Sequence, residues 1–259
     1  MVWTLWVFFL LFSISALIYP LWWKTDAVVA FGNMSQIIVL ILAGLNLNQA
    51  THQFPPRSVF RKVWAQLTTG IWIWVLGQSL ESYCELLLNQ VAYATVADSF
   101  WVIGYFPVLK GLLTLIQYEK ASILGAARRQ RNLFMALSAV VVYVAILYSL
   151  TWPQLADPTR KLTFKMLDVT YVSLDYLTII LSFLSCVAYW STGKPVAPWA
   201  FLFLGLFLSG IADIGLSYST DPASFSYRFL DILYLLSYFF VALSGYSQVR
   251  LMKSGATRE

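Results

Sequence analysis

Charged residues are scarce in this sequence. Only 11% of its 259 residues are charged, whereas 59% are hydrophobic. Soluble domains carry about 25% charged residues, so this chain has too little charge to cover a water-exposed surface. A water-soluble fold is therefore excluded, and the sequence predicts a protein whose solvent is lipid.

Metal-binding residues are also few. The chain has two cysteines and one histidine, His52, and no cluster with the spacing of a zinc or haem site. Cys84 and Cys186 are predicted to differ in depth by about 20 Å or more, which is beyond the reach of a disulfide. No Ser/His/Asp set and no phosphate-binding glycine loop occurs. We therefore predict no cofactor and no metal, and we assign no catalytic residue.

Long apolar segments dominate what is present. A transmembrane helix needs about 20 largely apolar residues, and eight such segments are found. They cover residues 3–23, 27–47, 63–88, 97–118, 133–152, 168–190, 198–217 and 229–250. The predicted fold is an all-α polytopic membrane protein with eight transmembrane helices.

The distribution of lysine and arginine predicts the orientation. Eleven of the 17 basic residues fall on the side that holds both termini, and five fall on the opposite side. Basic loops face the cytoplasm, so we expect both termini to be cytoplasmic. These loops explain the net charge of +5, which therefore does not imply nucleic acid. Arg128, Arg129 and Arg131 are interpreted as topology signals that contact anionic lipids, or as a docking site for a protein partner.

The two halves of the chain, residues 1–132 and 133–259, align helix by helix. Residues 16–23 match 145–152, 26–33 match 168–175, 64–78 match 199–213, and 98–106 match 231–239. Four matches in the same order predict a tandem repeat of two four-helix units. Because four is an even number, both units enter the membrane in the same direction, and the repeat is parallel.

Polar residues within the apolar segments mark a candidate site. Intramembrane acids normally face a bundle interior or a water-filled cavity. Gln78, Glu81 and Glu85 share one helical face by their spacing, and Asp175 and Asp213 fall at the same predicted depth, where Asn33 and Gln78 are their counterparts. The sequence predicts an outward-facing acidic and aromatic cavity as the ligand site. Its predicted residues are Asn33, Gln78, Glu81, Glu85, Asp98, Tyr105, Asp175, Asp213, Asp231 and Tyr238.

Structural alternatives remain for these residues. Asp98 and Asp231 suit helix capping or helix–helix contact as well as ligand binding. Glu81 and Glu85 are close enough to the outer face to reach interfacial water. Tyr105 and Tyr238 are also typical of core aromatics.

Residues 96–113 read VADSFWVIGYFPVLKGLL, and a similar pattern begins at Leu230. This pattern resembles the multi-helix membrane sensory input regions that precede diguanylate cyclase and phosphodiesterase domains in bacteria, where an Ala-Asp followed by aromatics and a Gly-Tyr-Pro-like step recurs in each half. The second copy has Ser237 in place of Gly104 and Phe240 in place of Pro107. Since the chain contains no GGDEF or EAL motif, the resemblance implies the input part alone, either a stand-alone partner of a separate output protein or a truncated chain.

A second segment, residues 205–213, reads GLFLSGIAD and is similar to the aspartate-bearing helix of the YhhN/lysoplasmalogenase family of membrane hydrolases. That resemblance implies catalytic aspartates at Asp213 and Asp175.

Three functions follow as expectations. The first is a sensory or regulatory module of the bacterial inner membrane, which binds a small ligand, a lipid headgroup or a cation and signals to a cytoplasmic or membrane protein partner. The second is a membrane-embedded lipid hydrolase. The third is a structural or assembly subunit of a larger membrane complex. In each case membrane lipids are partners.

Overall fold

The computed structural model describes residues 6–7, 10–15, 26–88, 96–119, 138, 141–142, 144–145, 149, 152–191, 194–218 and 225–255. Within these ranges the chain forms seven helices and no strand. In chain order the helices are α1 (Asp26–His52), α2 (Val59–Leu87), α3 (Val96–Tyr118), α4 (Trp152–Ala156), α5 (Leu162–Ser191), α6 (Ala197–Tyr218) and α7 (Phe225–Lys253). The predicted all-α fold is confirmed for the described residues.

Six of the eight predicted segments coincide with the long helices α1, α2, α3, α5, α6 and α7. The other two, 3–23 and 133–152, lie mostly outside the described residues, as do Arg128, Arg129 and Arg131. The largest difference is at α5, which begins at Leu162 rather than at Asp168. Asp168 therefore lies inside the helix, where Arg160 pairs with its carboxylate at 2.6 Å and lowers the cost of the buried charge.

Five of these helices are long and apolar enough to cross a membrane: α1, α3, the Leu162–Trp190 part of α5, the Ala197–Leu216 part of α6, and the Phe229–Lys253 part of α7. Helix α2 is outside this set because its glutamines, threonines and tryptophans lower its mean hydropathy. Its 29 residues nevertheless give a length of about 44 Å. The protein is therefore a multi-helix membrane protein.

Local sequence explains why α1 ends and α2 begins where they do. Pro55 and Pro56 follow the end of α1 at His52, and proline cannot continue a helix because it lacks the backbone N–H. Ser58 then caps α2 through its side-chain oxygen, which accepts a hydrogen bond from the Arg61 backbone N–H at 3.3 Å.

The six long helices form a closed ring. They pack in the order α1, α2, α3, α5, α6 and α7, and α7 packs back on α1. The ring encloses an interior that runs along the helix axes. Because α2 and α6 run opposite to the other four helices, their ends meet the beginnings of α1, α3, α5 and α7.

Glycines allow two close contacts between neighbouring helices of the ring. A Cβ on Gly70 of α2 would lie 2.7 Å from the Gly104 carbonyl oxygen and 2.5 Å from Val108 of α3. A Cβ on Gly205 of α6 would lie 2.9 Å from the Ser237 carbonyl oxygen and 2.7 Å from Val241 of α7. Small residues allow membrane helices to approach in this way.

One end of the ring interior is filled by apolar side chains. The rings of Trp64 and Trp199 lie 5.1 Å apart between their centroids, and both side chains are fully buried. Around them pack buried leucines, which are Leu47, Leu67, Leu115 and Leu202. We call this region the closed end. Cys84 and Cys186 are free thiols, which confirms the prediction that they do not pair.

Candidate functional site

The opposite end of the ring interior holds a cavity of about 80 Å³. All six ring helices contribute to its wall. The lining residues are Asn33, Gln36, Trp74, Gln78, Glu81, Glu85, Asp98, Trp101, Tyr105, Asp168, Tyr171, Val172, Ser209, Asp213, Leu216, Leu230, Asp231, Tyr234 and Tyr238. We call this region the acidic cavity. A single buried water needs about 10–15 Å³ by this measure, so the cavity has room for several waters or for a compact ligand.

The structure brings the residues of the predicted site together. Nine of the ten line the acidic cavity. The tenth, Asp175, is buried behind the lining and accepts a hydrogen bond from the Tyr105 hydroxyl.

The first wall of the cavity is an amide-centred cluster on α1 and α2. Asn33 donates its side-chain N–H to Glu85 at 2.8 Å. Its carbonyl oxygen accepts from the Ser82 hydroxyl at 2.8 Å and from Gln78 at 3.4 Å. The four polar residues therefore satisfy one another, and the predicted polar face of α2 is directed at α1 and the cavity.

Opposite this cluster, α5 and α6 bring two carboxyl groups into contact. The side chains of Asp175 and Asp213 lie within hydrogen-bond reach of each other. The Tyr234 hydroxyl donates to Asp213 at 2.5 Å, while the Tyr105 hydroxyl lies 3.4 Å from the second Asp213 oxygen. The remaining Asp175 oxygen, Oδ2, is buried and accepts no hydrogen bond from a described residue. A proton between the two carboxyl groups would turn their contact into a hydrogen bond.

Two further hydrogen bonds cross between the first and second halves of the chain at the cavity wall. The Tyr171 hydroxyl of α5 donates to Asp98 of α3 at 2.7 Å. Gln36 of α1 donates to Asp231 of α7 at 3.1 Å. Asp98 and Asp231 thus make helix–helix contacts, one of the predicted alternatives, and line the cavity at the same time.

Aromatic side chains form the rest of the wall. The indole N–H of Trp101 donates to Glu81 at 3.1 Å, and its ring stacks on that of Tyr238 with centroids 6.5 Å apart and planes 14° apart. Tyr238 in turn stacks on Tyr234 at 6.2 Å. The indole N–H of Trp74 donates to the backbone carbonyl oxygen of Trp101 at 2.9 Å. This hydrogen bond holds the Trp101 end of the stack in place. Acidic groups and aromatic faces therefore alternate around one small space.

The loop before α5 contacts the cavity wall at Asp168. Arg160 of this loop pairs with Asp168, whose side chain is completely buried. Lys165 donates to the Leu155 carbonyl oxygen at 2.7 Å and ties the first turn of α5 to α4. In this loop the Thr159 hydroxyl and backbone N–H both bind the Asp157 carboxylate, and they hold the pKa of Asp157 below its usual value.

Several lining residues were not among the predicted site residues. Trp101, Asp168, Tyr171 and Tyr234 share helical faces with predicted residues, so their spacing carried the signal. Gln36, Trp74 and Ser209 also lie three or four residues from Asn33, Gln78 and Asp213. Spacing alone did not single them out, because polar and aromatic residues in membrane helices are also typical of helix packing.

The described residues contain no group of three or more His, Cys, Asp or Glu side chains that could hold a metal ion. Comparison with known proteins gives no match, whether to a family model, to a curated protein or to a solved structure.

Proposed function

We propose that this protein is a membrane sensory or regulatory module that binds a small ligand, a lipid headgroup or a cation in the acidic cavity. The observation that carries the proposal is the position of the cavity. It lies where all six ring helices meet, between hydrogen bonds that join α3 to α5 and α1 to α7. A ligand in this space changes the packing of both halves of the chain.

The two halves are proposed to be copies of one four-helix unit, residues 1–132 and 133–259, in an eight-helix protein. Gly70 and Gly205, which align in sequence, make equivalent close contacts with the following ring helix. The aligned polar pairs also correspond, since Asn33 contacts Gln78 and Asp175 contacts Asp213. The first pair consists of two neutral amide side chains, whereas the second pair consists of two carboxyl groups.

The acidic cavity is proposed to open toward the outside of a bacterial inner membrane, with both termini in the cytoplasm. Support comes from the described basic residues, which are more numerous at the closed end. Those at the closed end are Arg57, Arg61, Lys62, Lys194, Arg250 and Lys253, and those at the cavity end are Arg160, Lys161, Lys165 and Arg228. This distribution agrees with the positive-inside rule.

The signal is proposed to leave through the closed end toward a cytoplasmic or membrane protein partner. Lys194, between α5 and α6, pairs with the buried Glu119 at the end of α3 at 2.7 Å. A movement of α3 against α5 at the cavity would therefore be transmitted to the closed end through this ion pair. A ligand shifts such an equilibrium only by its differential affinity for the two packings.

The test combines Asp175→Asn with Asp213→Asn in the full chain. Wild type and variant are purified from native membranes, and mass spectrometry identifies the co-purified small molecules, lipids and proteins. We expect the variant to insert normally but to lose a bound molecule and to change its retained protein partners. If correctly inserted variant retained the same molecules and partners, the ligand site would be refuted. Partners retained without any bound molecule would favour an assembly subunit.

A second function, lipid hydrolysis, is favoured by one specific observation. Asp175 and Asp213 form a contacting pair of carboxyl groups, an arrangement that acid–base hydrolysis by aspartates uses. The similarity of residues 205–213 to the lysoplasmalogenase family points to the same pair. This function predicts turnover of a lipid-derived substrate by the purified protein, and its loss in Asp213→Asn with the fold retained.

A further inference from the structure

We infer that the ligand of the acidic cavity is a compact organic cation, a protonated amine or a quaternary ammonium group. This inference rests on the proposed function, because it assigns a chemical class to the ligand of the same site.

Charge excludes anionic ligands from this site. Six carboxyl side chains line the cavity, of which Asp168 is paired with Arg160, and the described lining itself includes no lysine, arginine or histidine. Like charges brought into a space of low dielectric repel strongly. A phosphate or carboxylate group would therefore be rejected, whereas a cation would be attracted.

The aromatic lining distinguishes an organic cation from a metal ion. Six aromatic side chains line the cavity, which are Trp74, Trp101, Tyr105, Tyr171, Tyr234 and Tyr238. Aromatic faces beside carboxylates are the environment that binds ammonium groups. A divalent metal needs several converging oxygen ligands instead, and the described residues contain no group of three or more His, Cys, Asp or Glu side chains that could hold one. The oxygens of Glu81 and Asp98 are also engaged by neutral donors, Trp101 and Tyr171, which a small metal would have to displace.

The volume of the cavity limits the size of the ligand. A volume of about 80 Å³ corresponds to several waters, which is also the size of choline or ethanolammonium. Such a cation is either a free metabolite or the headgroup of a lipid. Both sources share the chemistry inferred here, and the experiment separates them.

The experiment measures equilibrium binding of radiolabelled choline to the full chain in phosphatidylglycerol nanodiscs. Tetramethylammonium and the uncharged choline isostere 3,3-dimethylbutan-1-ol are the competitors. We expect tetramethylammonium to displace choline and the isostere to compete at least about tenfold more weakly. Equal competition by the isostere would overturn the inference.

Two pairs of variants locate the binding. Glu81→Gln should weaken choline binding about tenfold, whereas Asp26→Asn, which removes an exposed acid near the same end of the ring, should leave it unchanged. Tyr238→Leu should weaken binding, whereas Tyr238→Phe, which keeps the aromatic face, should retain it. Wild-type affinity in both Glu81→Gln and Tyr238→Leu would overturn the inference.

Repeating the measurement in phosphatidylcholine nanodiscs separates the two sources. A lower apparent affinity for free choline means that the lipid headgroup competes for the cavity, and an unchanged affinity means that the free cation is the ligand. Both results support an organic cation. Absence of choline binding in phosphatidylglycerol nanodiscs, where no choline headgroup competes, overturns the inference. The proposed function is tested separately by the double variant with Asp175→Asn and Asp213→Asn. It still stands if this variant loses a co-purified molecule, and it is refuted together with the inference if no molecule is lost.

Discussion

The two ends of the ring interior are built by the same six helices but have opposite contents. At the closed end, the rings of Trp64 and Trp199 pack against each other with their planes 35° apart, in an apolar core that includes buried leucines. At the other end, the same helices surround a cavity lined by six carboxyl groups. Intramembrane polar groups cost free energy on insertion, whereas apolar packing fills space. Stability therefore depends mainly on the closed end, and the acidic cavity is retained for another role.

The largest expected effect comes from opening the closed end. Trp64→Ala removes a fully buried indole and should lower the free energy of unfolding by about 3–5 kcal/mol. Denaturation in mixed detergent micelles measures this change. The matched control is Trp190→Ala, because Trp190 is 79% exposed on the outside of the ring, and its loss should cost less than about 0.5 kcal/mol. Equal effects would contradict the assignment of the closed end as the stabilising core.

The second prediction tests whether the two halves contribute equally to the ring. Gly70→Ala and Gly205→Ala each place a methyl group against a backbone carbonyl and a valine of the next helix, and each should cost about 1–3 kcal/mol of unfolding free energy. The control is Gly77→Ala on α2, where the nearest atom would be 3.3 Å away, and it should cost less. A large effect at only one of Gly70 and Gly205 would count against a repeat.

The third prediction fills the acidic cavity. Ser209 of α6 lines the cavity, so Ser209→Trp should displace the ligand and lower its affinity by at least about tenfold. Leu204→Trp adds the same ring to the same helix, at a position that is 38% exposed, and should leave binding unchanged. Binding of radiolabelled choline measures both variants. Full binding by Ser209→Trp would mean that the ligand binds elsewhere.

Much of this arrangement could be predicted from helical spacing. Gln78, Glu81 and Glu85 repeat at three- and four-residue intervals, and all three line the cavity. The closed end could not be located in this way, because Trp64 and Trp199 lie among many aromatic residues in apolar helices. The sequence aligned these two tryptophans but gave no sign that they touch.

Contacts between the halves were also beyond the sequence. Tyr105 bonds Asp175, and Gln36 bonds Asp231, across about 70 and 195 positions respectively. Which helices become neighbours depends on how the ring closes, and periodicity within one helix carries no information about that. The residues of the site were therefore predictable, whereas their partners were not.

The smallest expected effect compares two tyrosines that align in the two halves. Tyr105→Phe removes the hydroxyl that donates to the buried Asp175 and should cost about 1 kcal/mol of unfolding free energy. Tyr238→Phe should cost less, because the Tyr238 ring contributes mainly by stacking on Trp101 and Tyr234. Both variants keep the ring, so the difference between them isolates the hydrogen bond that joins α3 to α5. Equal costs would mean that this bond does not hold the halves together, and the Tyr171–Asp98 hydrogen bond would then be the one that joins α3 to α5 at the cavity.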